Sequence, residues 1–404
     1  MARNKRFVKY AKHSNVDSQS LYIDEDARLR LVDELKERGS RRILVVCDNS
    51  IRRLHPFDEL IDVLNSEGFR TFVYCQPGNI LMDRDIEGGL KIYGEYNCDT
   101  VIAIGGTSEI DCGKLIAACV TNPVKSLSQF VGIDKINNEI PLLCTILTEN
   151  CASSSTASAE FFDNTAGKWM TVISGCLVPH VVIIDTDFSE RVALDNAVSS
   201  ALSSLCITIE AYTSPVAGDF PEYRASAVIA SMILFKNIEK FWNNTTDTFL
   251  RKQIAVGGFY AGLSTRKTGI GYAHIIMHTI LSRYNVVHGT GLTRILHLVL
   301  QEQMADPKIC EGLAKLAKAA HFCSMNLAND RAAEEIGGNV FPFGGDDDRA
   351  EFDLAWVTRG RKSAHGFRAN ENKIIIIREA IDEIRHRVVF PVITGFLASK
   401  TSGY

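Results

Sequence analysis

The change of hydrophobic period halfway along the chain constrains the fold most. Up to about residue 187, short apolar runs alternate with stretches of helical spacing. ILVVCD (43–48), TFVYC (71–75), TVIAIGG (100–106), LLCTIL (142–147) and VVIIDT (181–186) read as buried strands, rich in β-branched residues. Between them, DARLRLVDELKERG and DIEGGLKIYGEYN carry apolar residues every three or four positions and end in Gly or Asn, as helices do. Near-continuous apolar strands separated by helices predict βαβ units and a parallel sheet covered on both faces. From residue 188 the strand signal stops. SERVALDNAVSSALSSLCITIEAYTSP, YRASAVIASMILFKNIEKFWNN, FLRKQIAVGGFYAGLS, TRILHLVLQEQMA and CEGLAKLAKAAHFCSMNLA all follow the 3.6-residue period. The expectation is an α/β domain over residues 1–187 and an all-helical domain over 188–404, with a ligand in the cleft between them.

A chain of 404 residues is long enough for two such cores. Its net charge of −4 gives no basic field for nucleic acid or an anionic membrane, so a small-molecule partner is expected. No apolar run reaches the ~18 to 20 residues of a membrane span, and none follows the basic start as a signal peptide requires, which predicts a cytoplasmic protein. The eleven cysteines are scattered without a CxxC pair, as buried free thiols are in a reducing compartment.

Two stretches carry chemistry. In TVIAIGGTSEIDCGK (100–114) a buried strand runs into Gly105 and Gly106 and a helix opens behind them. Backbone N–H groups at such a helix start, unobstructed by a Cβ, suit a phosphate, and the same glycines equally suit a tight βα turn with no ligand; Asp111 is expected in the first turn. In HIIMHTILSRYNVVHG (274–289), His274 and His278 are one helical turn apart and His288 follows beside Gly289. That spacing suits metal ligation, and equally suits packing or surface chemistry.

The first stretch resembles the GGGSxxDxAK motif of the iron-containing (group III) alcohol dehydrogenases, departing at Thr107 and Gly113. The likeness extends along the chain. GKWMTVISGCLVPHVVIIDT, ITIEAYTSP and AGLSTRKTGIGYAHIIMHTILSRYNVVHG are similar to later family landmarks, in the same order. The resemblance implies a dehydroquinate synthase-like architecture in which the first domain binds a nicotinamide dinucleotide and the helical domain holds a divalent metal, iron or zinc, that polarises the alcohol oxygen. It places Gly105, Gly106, Ser108 and Asp111 at the pyrophosphate, Thr148 in the phosphate loop, and Lys168 and Leu177 along the cofactor. Asp48 matches the acid that accepts from the adenosine ribose, which favours NAD over NADP because a carboxylate repels a 2′-phosphate.

The same resemblance exposes departures. His274 and His288 fall on two of the family's metal ligands and His278 on the nearby histidine beside the substrate. The other two ligands, an Asp and a His four residues apart, are replaced by Ser203 and Ile207. Two neutral imidazoles without a balancing carboxylate hold a divalent ion weakly, so metal independence is expected, with Cys206 and Asp195 poorly placed as substitutes. Glu149 and Asn150 alter the phosphate loop, and Lys267 replaces the family's usual Asn. Residues 339–373 depart most; their Arg349, Arg359, Arg361, Lys362 and Arg368 suit an anionic substrate or a solvated surface.

The expected function is alcohol–carbonyl interconversion with NAD on a specialised small substrate, without a tightly held metal. His278 or His288 acts as proton donor and Lys267 as electrostatic stabiliser. The alternatives are a metal-using dehydrogenase with a rebuilt ligand set, a non-catalytic relative kept for binding or assembly, and cyclase chemistry like that of 3-dehydroquinate synthase. The family habit implies a homodimer or larger homo-oligomer.

Overall fold

The computed structural model describes residues 9–10 and 19–339, apart from 79, 149–151, 190–193, 245, 282–287 and 322. Glu149, Asn150 and the basic residues between 349 and 368 therefore lie outside the described residues.

The first half opens with β1 (Lys9–Tyr10), β2 (Ser20–Ile23), α1 (Leu31–Glu37) and β3 (Arg42–Cys47). There follow α2 (His55–Ser66), β4 (Arg70–Cys75), α3 (Ile86–Glu95), β5 (Thr100–Gly105), α4 (Thr107–Thr121), β6 (Gly132–Ile133) and β7 (Leu142–Leu147). The half closes with β8 (Ser158–Asp163), β9 (Lys168–Ile173) and β10 (Val181–Ile184). Seven strands form one sheet in the order β1-β2-β10-β7-β5-β3-β4, parallel except where β1 runs against β2. Its central strands are buried on both faces, which is why their sequences are unbroken apolar runs. The chain leaves β3 toward β4 on one side and returns to β5 on the other. The carboxyl ends of β3 and β5 thus flank a topological switch point, where α/β sheets take their ligands.

The strands β1, β2, β6, β8 and β9 were not read from the sequence. β8 and β9 form an antiparallel hairpin, registered Glu160↔Thr171, Phe161↔Met170 and Phe162↔Trp169, with β6 alongside. Pleating puts Phe161 and Met170 on the side of the α4 core, and Glu160, Phe162, Trp169 and Thr171 on the other.

The second half is helical throughout its described residues. It comprises α5 (Thr186–Ser189), α6 (Leu194–Thr213), α7 (Pro221–Asn243), α8 (Thr248–Ser264), α9 (Tyr272–Leu281), α10 (His288–Gln303), α11 (Pro307–Ala319) and α12 (Asn329–Asn339). α6 is the spine, with Ala201, Leu202, Leu205, Cys206 and Ile209 inside one core with residues of α7 to α12. The stretch 310–328, expected as a single helix, stops at Ala319, and His321 takes a left-handed φ of 60° that α-helix cannot continue. The halves dock where α8 meets the turn after β7. A Cβ on Gly262 would stand 2.1 Å from the Ala152 carbonyl, and Ser155 Oγ donates to the Phe259 carbonyl at 2.6 Å.

Candidate active site

α4 is buried almost end to end, and two charged residues on its inner face build the site. Lys114 is fully buried, its Nζ donating among the carbonyls of Ser153, Thr156 and Ser158 (2.5, 3.1 and 2.8 Å) and Thr156 Oγ1 (3.0 Å). Asp111, one turn earlier, accepts from the Ser153 hydroxyl and, at 2.9 Å, from the backbone N–H of Glu160. A buried cation and anion from one helix thereby fix the start of β8 and the placement of Glu160. Asp111 is 2% exposed and lies in the second turn, so its carboxylate is committed inward and away from the mouth of the glycine turn. The acid in the first turn is Glu109.

Glu160 reaches across to the helical half. Its Oε2 lies 3.2 Å from Nε2 of His278 on α9, and the Trp169 indole stacks against that imidazole at 5.8 Å. The rings of His274, His278 and His288 gather with centroids 5.6 to 6.0 and 6.3 Å apart. Burial pushes the Glu160 carboxyl up, but the His278 imidazole paired with it and the two further imidazoles outweigh this and hold it at about 2. Burial likewise pushes His278 down, and the Glu160 carboxylate prevails, raising it above the ordinary imidazole range. His288 goes the other way. Burial, then the neighbouring His274 and His278, push it down to about 3, so it is neutral. One pocket thus holds a charged imidazole and a neutral one, the separation that assigns acid and hydrogen-bonding roles.

α6 supplies the remaining wall. Glu210 accepts from His274 Nδ1 (2.8 Å) and from the Ala273 N–H (2.6 Å), fixing that imidazole with its Nε2 buried and without a hydrogen-bond partner among the described residues. Ser203 Oγ meets His288 Nδ1 at 3.2 Å, and Ser199 Oγ accepts from the Gly289 N–H at 2.8 Å. The backbones approach so closely there that a Cβ on Gly289 would stand 1.8 Å from the Ser199 carbonyl. Cys206 is buried in the helical core, and burial followed by Glu210 raises its thiol well above the ordinary range, so it offers no thiolate.

A divalent ion does not fit this donor set. His274 is held through Nδ1 by Glu210, whose carboxylate is spent in holding it and the Ala273 N–H. Glu160 is tied to His278, and Ile207, aligned where the resemblance required an imidazole, packs against the helical core and has no lone pair to offer. Among the described residues no group of three or more His, Cys, Asp or Glu is arranged to hold a metal.

The cofactor-side residues separate into two groups. Asp48 Oδ1 accepts from the Ile51 N–H (2.7 Å) and Ser50 Oγ (2.8 Å), a turn cap that leaves lone pairs for a ribose hydroxyl. Gly105, Gly106 and half-buried Ser108 form the turn across the switch point, and the Thr148 N–H, buried, closes it by donating to the Gly105 carbonyl at 3.2 Å. This shape suits a pyrophosphate, with one exception: the Gly106 N–H is capped by Glu109 Oε2 at 2.9 Å. Leu177 is fully buried beside α4. Lys168 is exposed at the start of β9, on the hairpin face opposite Trp169, and Lys267 is exposed in the turn after α8; no hydrogen bond or ion pair among the described residues joins either to the histidines. Sequence reasoning passed over Glu160, Trp169, Glu109 and the roles of Glu210 and Lys114. The strand alternation SAEFFD and the G-x-x-E spacing of Gly106 and Glu109 were the available signals.

A doubly wound nucleotide-type sheet is thus joined to a helical half across a pocket of converging histidines. The family profile described as iron-containing alcohol dehydrogenase matches residues 18–186, and that family's C-terminal profile matches residues 197–337. The chain belongs to the iron-containing alcohol dehydrogenase family. It is 24% identical over 328 residues to alcohol dehydrogenase 4 of Schizosaccharomyces pombe, covering 78% of this chain and 76% of that one. Against the NAD-dependent methanol dehydrogenase of Bacillus methanolicus the identity is 23%, covering 72% and 74%. Among solved structures, a 1,3-propanediol oxidoreductase superposes with a TM-score of 0.74 at 21% identity, covering 79% and 83%. The sulfoacetaldehyde reductase of Bifidobacterium kashiwanohense, in complex with NAD+, gives 0.69 at 17%, covering 81% and 86%. No helix among the described residues is long and apolar enough to cross a membrane.

Proposed function

We propose that this protein interconverts an alcohol and an aldehyde or ketone on a small substrate, with NAD as redox partner and without a tightly bound metal. The observation that carries the reading is the imidazole cluster at the junction of the two halves, with one member ion-paired to Glu160 and its ring stacked on Trp169. NAD, when bound, supplies the hydride acceptor or donor. Gly105, Gly106 and Ser108 would hold its pyrophosphate and Asp48 its ribose, and Asp48 supports NAD over NADP by charge.

The chain's own residues deal with the oxygen. His278, held as imidazolium by Glu160, steadies the negative charge that grows on the carbonyl oxygen during reduction. His278 is also the group that passes the proton to that oxygen. His288, kept neutral, holds the hydroxyl by a hydrogen bond, and His274, fixed by Glu210, lines the same wall of the pocket. Buried side chains around the pocket exclude water, which strengthens each interaction. The positive charge expected from Lys267 comes from His278.

The test is NADH oxidation with a panel of small aldehydes and ketones after dialysis against chelator. His278→Gln should lower kcat/KM by about 10²-fold or more. Activity that vanishes on chelation, or survives that substitution, refutes the mechanism. Titration of NADH and NADPH by fluorescence checks Asp48: equal or tighter NADPH binding removes its assignment.

A further inference from the structure

The glycine turn contains an acid of its own. Glu109 is the third residue of α4, 8% exposed, and its Oε2 accepts from the Gly106 N–H at 2.9 Å. Its side chain fills the space beneath the turn so closely that a Cβ on Gly105 would come within 2.5 Å of both its Cβ and its Oε2. Burial pushes this carboxyl up to about 7; Asp48 and Asp111 add to the shift, and the N–H groups of Glu109 and Gly106 oppose it.

We infer that Glu109 is an internal anion seated in the phosphate cradle, and that a dinucleotide binds there with Glu109 protonated. The inference rests on the proposed use of NAD. A pyrophosphate needs the N–H groups at a helix start, and here Glu109 takes the Gly106 N–H in advance. As carboxylate, Glu109 also repels the incoming charge. As carboxylic acid it loses that charge and gains an O–H that can donate to a phosphate oxygen. The other titratable groups facing it are Asp48 at the end of β3 and, on α4 itself, Asp111 and Cys112. Asp111 is pushed up to about 6 by burial against the pull of Lys114, and burial, then Glu109, raises Cys112 so that it is neutral. Lys114 spends its charge on the loop carbonyls of Ser153, Thr156 and Ser158. Among the described residues neither Asp111 nor Cys112 changes charge above neutrality, so binding takes up one proton at Glu109, and affinity falls as pH rises.

The experiment is calorimetric titration of the full chain with ADP-ribose, whose pyrophosphate does not titrate in this range, and with adenosine, which has no phosphate. Both are measured from pH 6 to 9 in buffers of different ionisation enthalpy. Wild-type affinity for ADP-ribose should fall about tenfold per pH unit above 7, with uptake approaching one proton. Glu109→Ser should bind about tenfold or more tightly at pH 8, with a flat profile. Glu109→Gln, which keeps the cap without the charge, should be flat and intermediate, and adenosine should ignore all three. A residue that merely caps the helix would lower the melting temperature and leave the pH slope of wild type and Glu109→Ser the same; that result overturns the inference alone. If neither protein binds ADP-ribose or NADH at pH 6, the inference and the cofactor reading fall together.

Discussion

Replacing Lys114 with methionine tests whether the clamp on β8 carries the weight its geometry implies. The ammonium has three protons and, at 0% exposure, no access to water, so the substitution strips three charge-assisted hydrogen bonds at once, each contributing about 1.5 to 3 kcal/mol. Against that gross loss stands the desolvation of the ammonium, which methionine avoids and which amounts to several kcal/mol. What remains is a set of buried carbonyls without donors and Asp111 without its counter-charge, for a net loss of about 3 to 5 kcal/mol. The loss should depend on pH. Asp111 already sits at about 6, raised by burial and held down by Lys114, and removing Lys114 raises it further. A carboxyl whose folded-state value exceeds its unfolded one loses stability as pH rises, so the variant should be weaker at pH 8 than at pH 5.5. Urea unfolding followed by circular dichroism at both values measures this, and Lys114→Met with Asp111→Asn should recover part of the loss and its pH dependence. A loss below about 1 kcal/mol, or one equal at both pH values, refutes the clamp.

Two further outcomes follow from the pocket. Glu160→Gln removes the charge that holds His278 protonated, so the quenching of Trp169 by the stacked imidazolium should titrate at lower pH than in wild type. Fluorescence with Trp169→Phe as the blank decides it, and an unchanged midpoint dissolves the pair. Protein expressed with added iron or zinc should retain well under one divalent ion per chain by elemental mass spectrometry, and Ser203→Asp with Ile207→His should raise retention by at least tenfold. Stoichiometric metal in the wild type that survives dialysis sinks the metal-free reading.

The parallel sheet and its glycine turn were legible because strands buried on both faces leave unbroken apolar runs, and a βα turn without Cβ atoms leaves paired glycines. The hairpin was hidden because SAEFFD and KWMTVI are buried on one face only, and it carries Glu160 and Trp169. Parity then decides function: Lys168 and Trp169 are adjacent, yet pleating sends the lysine away from the histidines and the indole against them. Helical phase did the same to Asp111. Starting α4 at Thr107 places it in the second turn facing β8, and Glu109 in the first. Ser203 was found beside His288, where the resemblance had aligned it, but nothing in the sequence showed that Glu210 would steady His274.

The joints between α6 and the two helices carrying the histidines are hydrogen bonds: Glu210 to Ala273 and His274, Ser203 to His288, and Ser199 to Gly289. A ferrous centre in the same place would tie the shape of such a pocket to an ion that air oxidises and that scarcity removes. These joints have no redox state. If the protein works without a metal, as proposed, the histidine cluster keeps its arrangement whether the surroundings are aerated or anoxic, and whether iron is plentiful or absent.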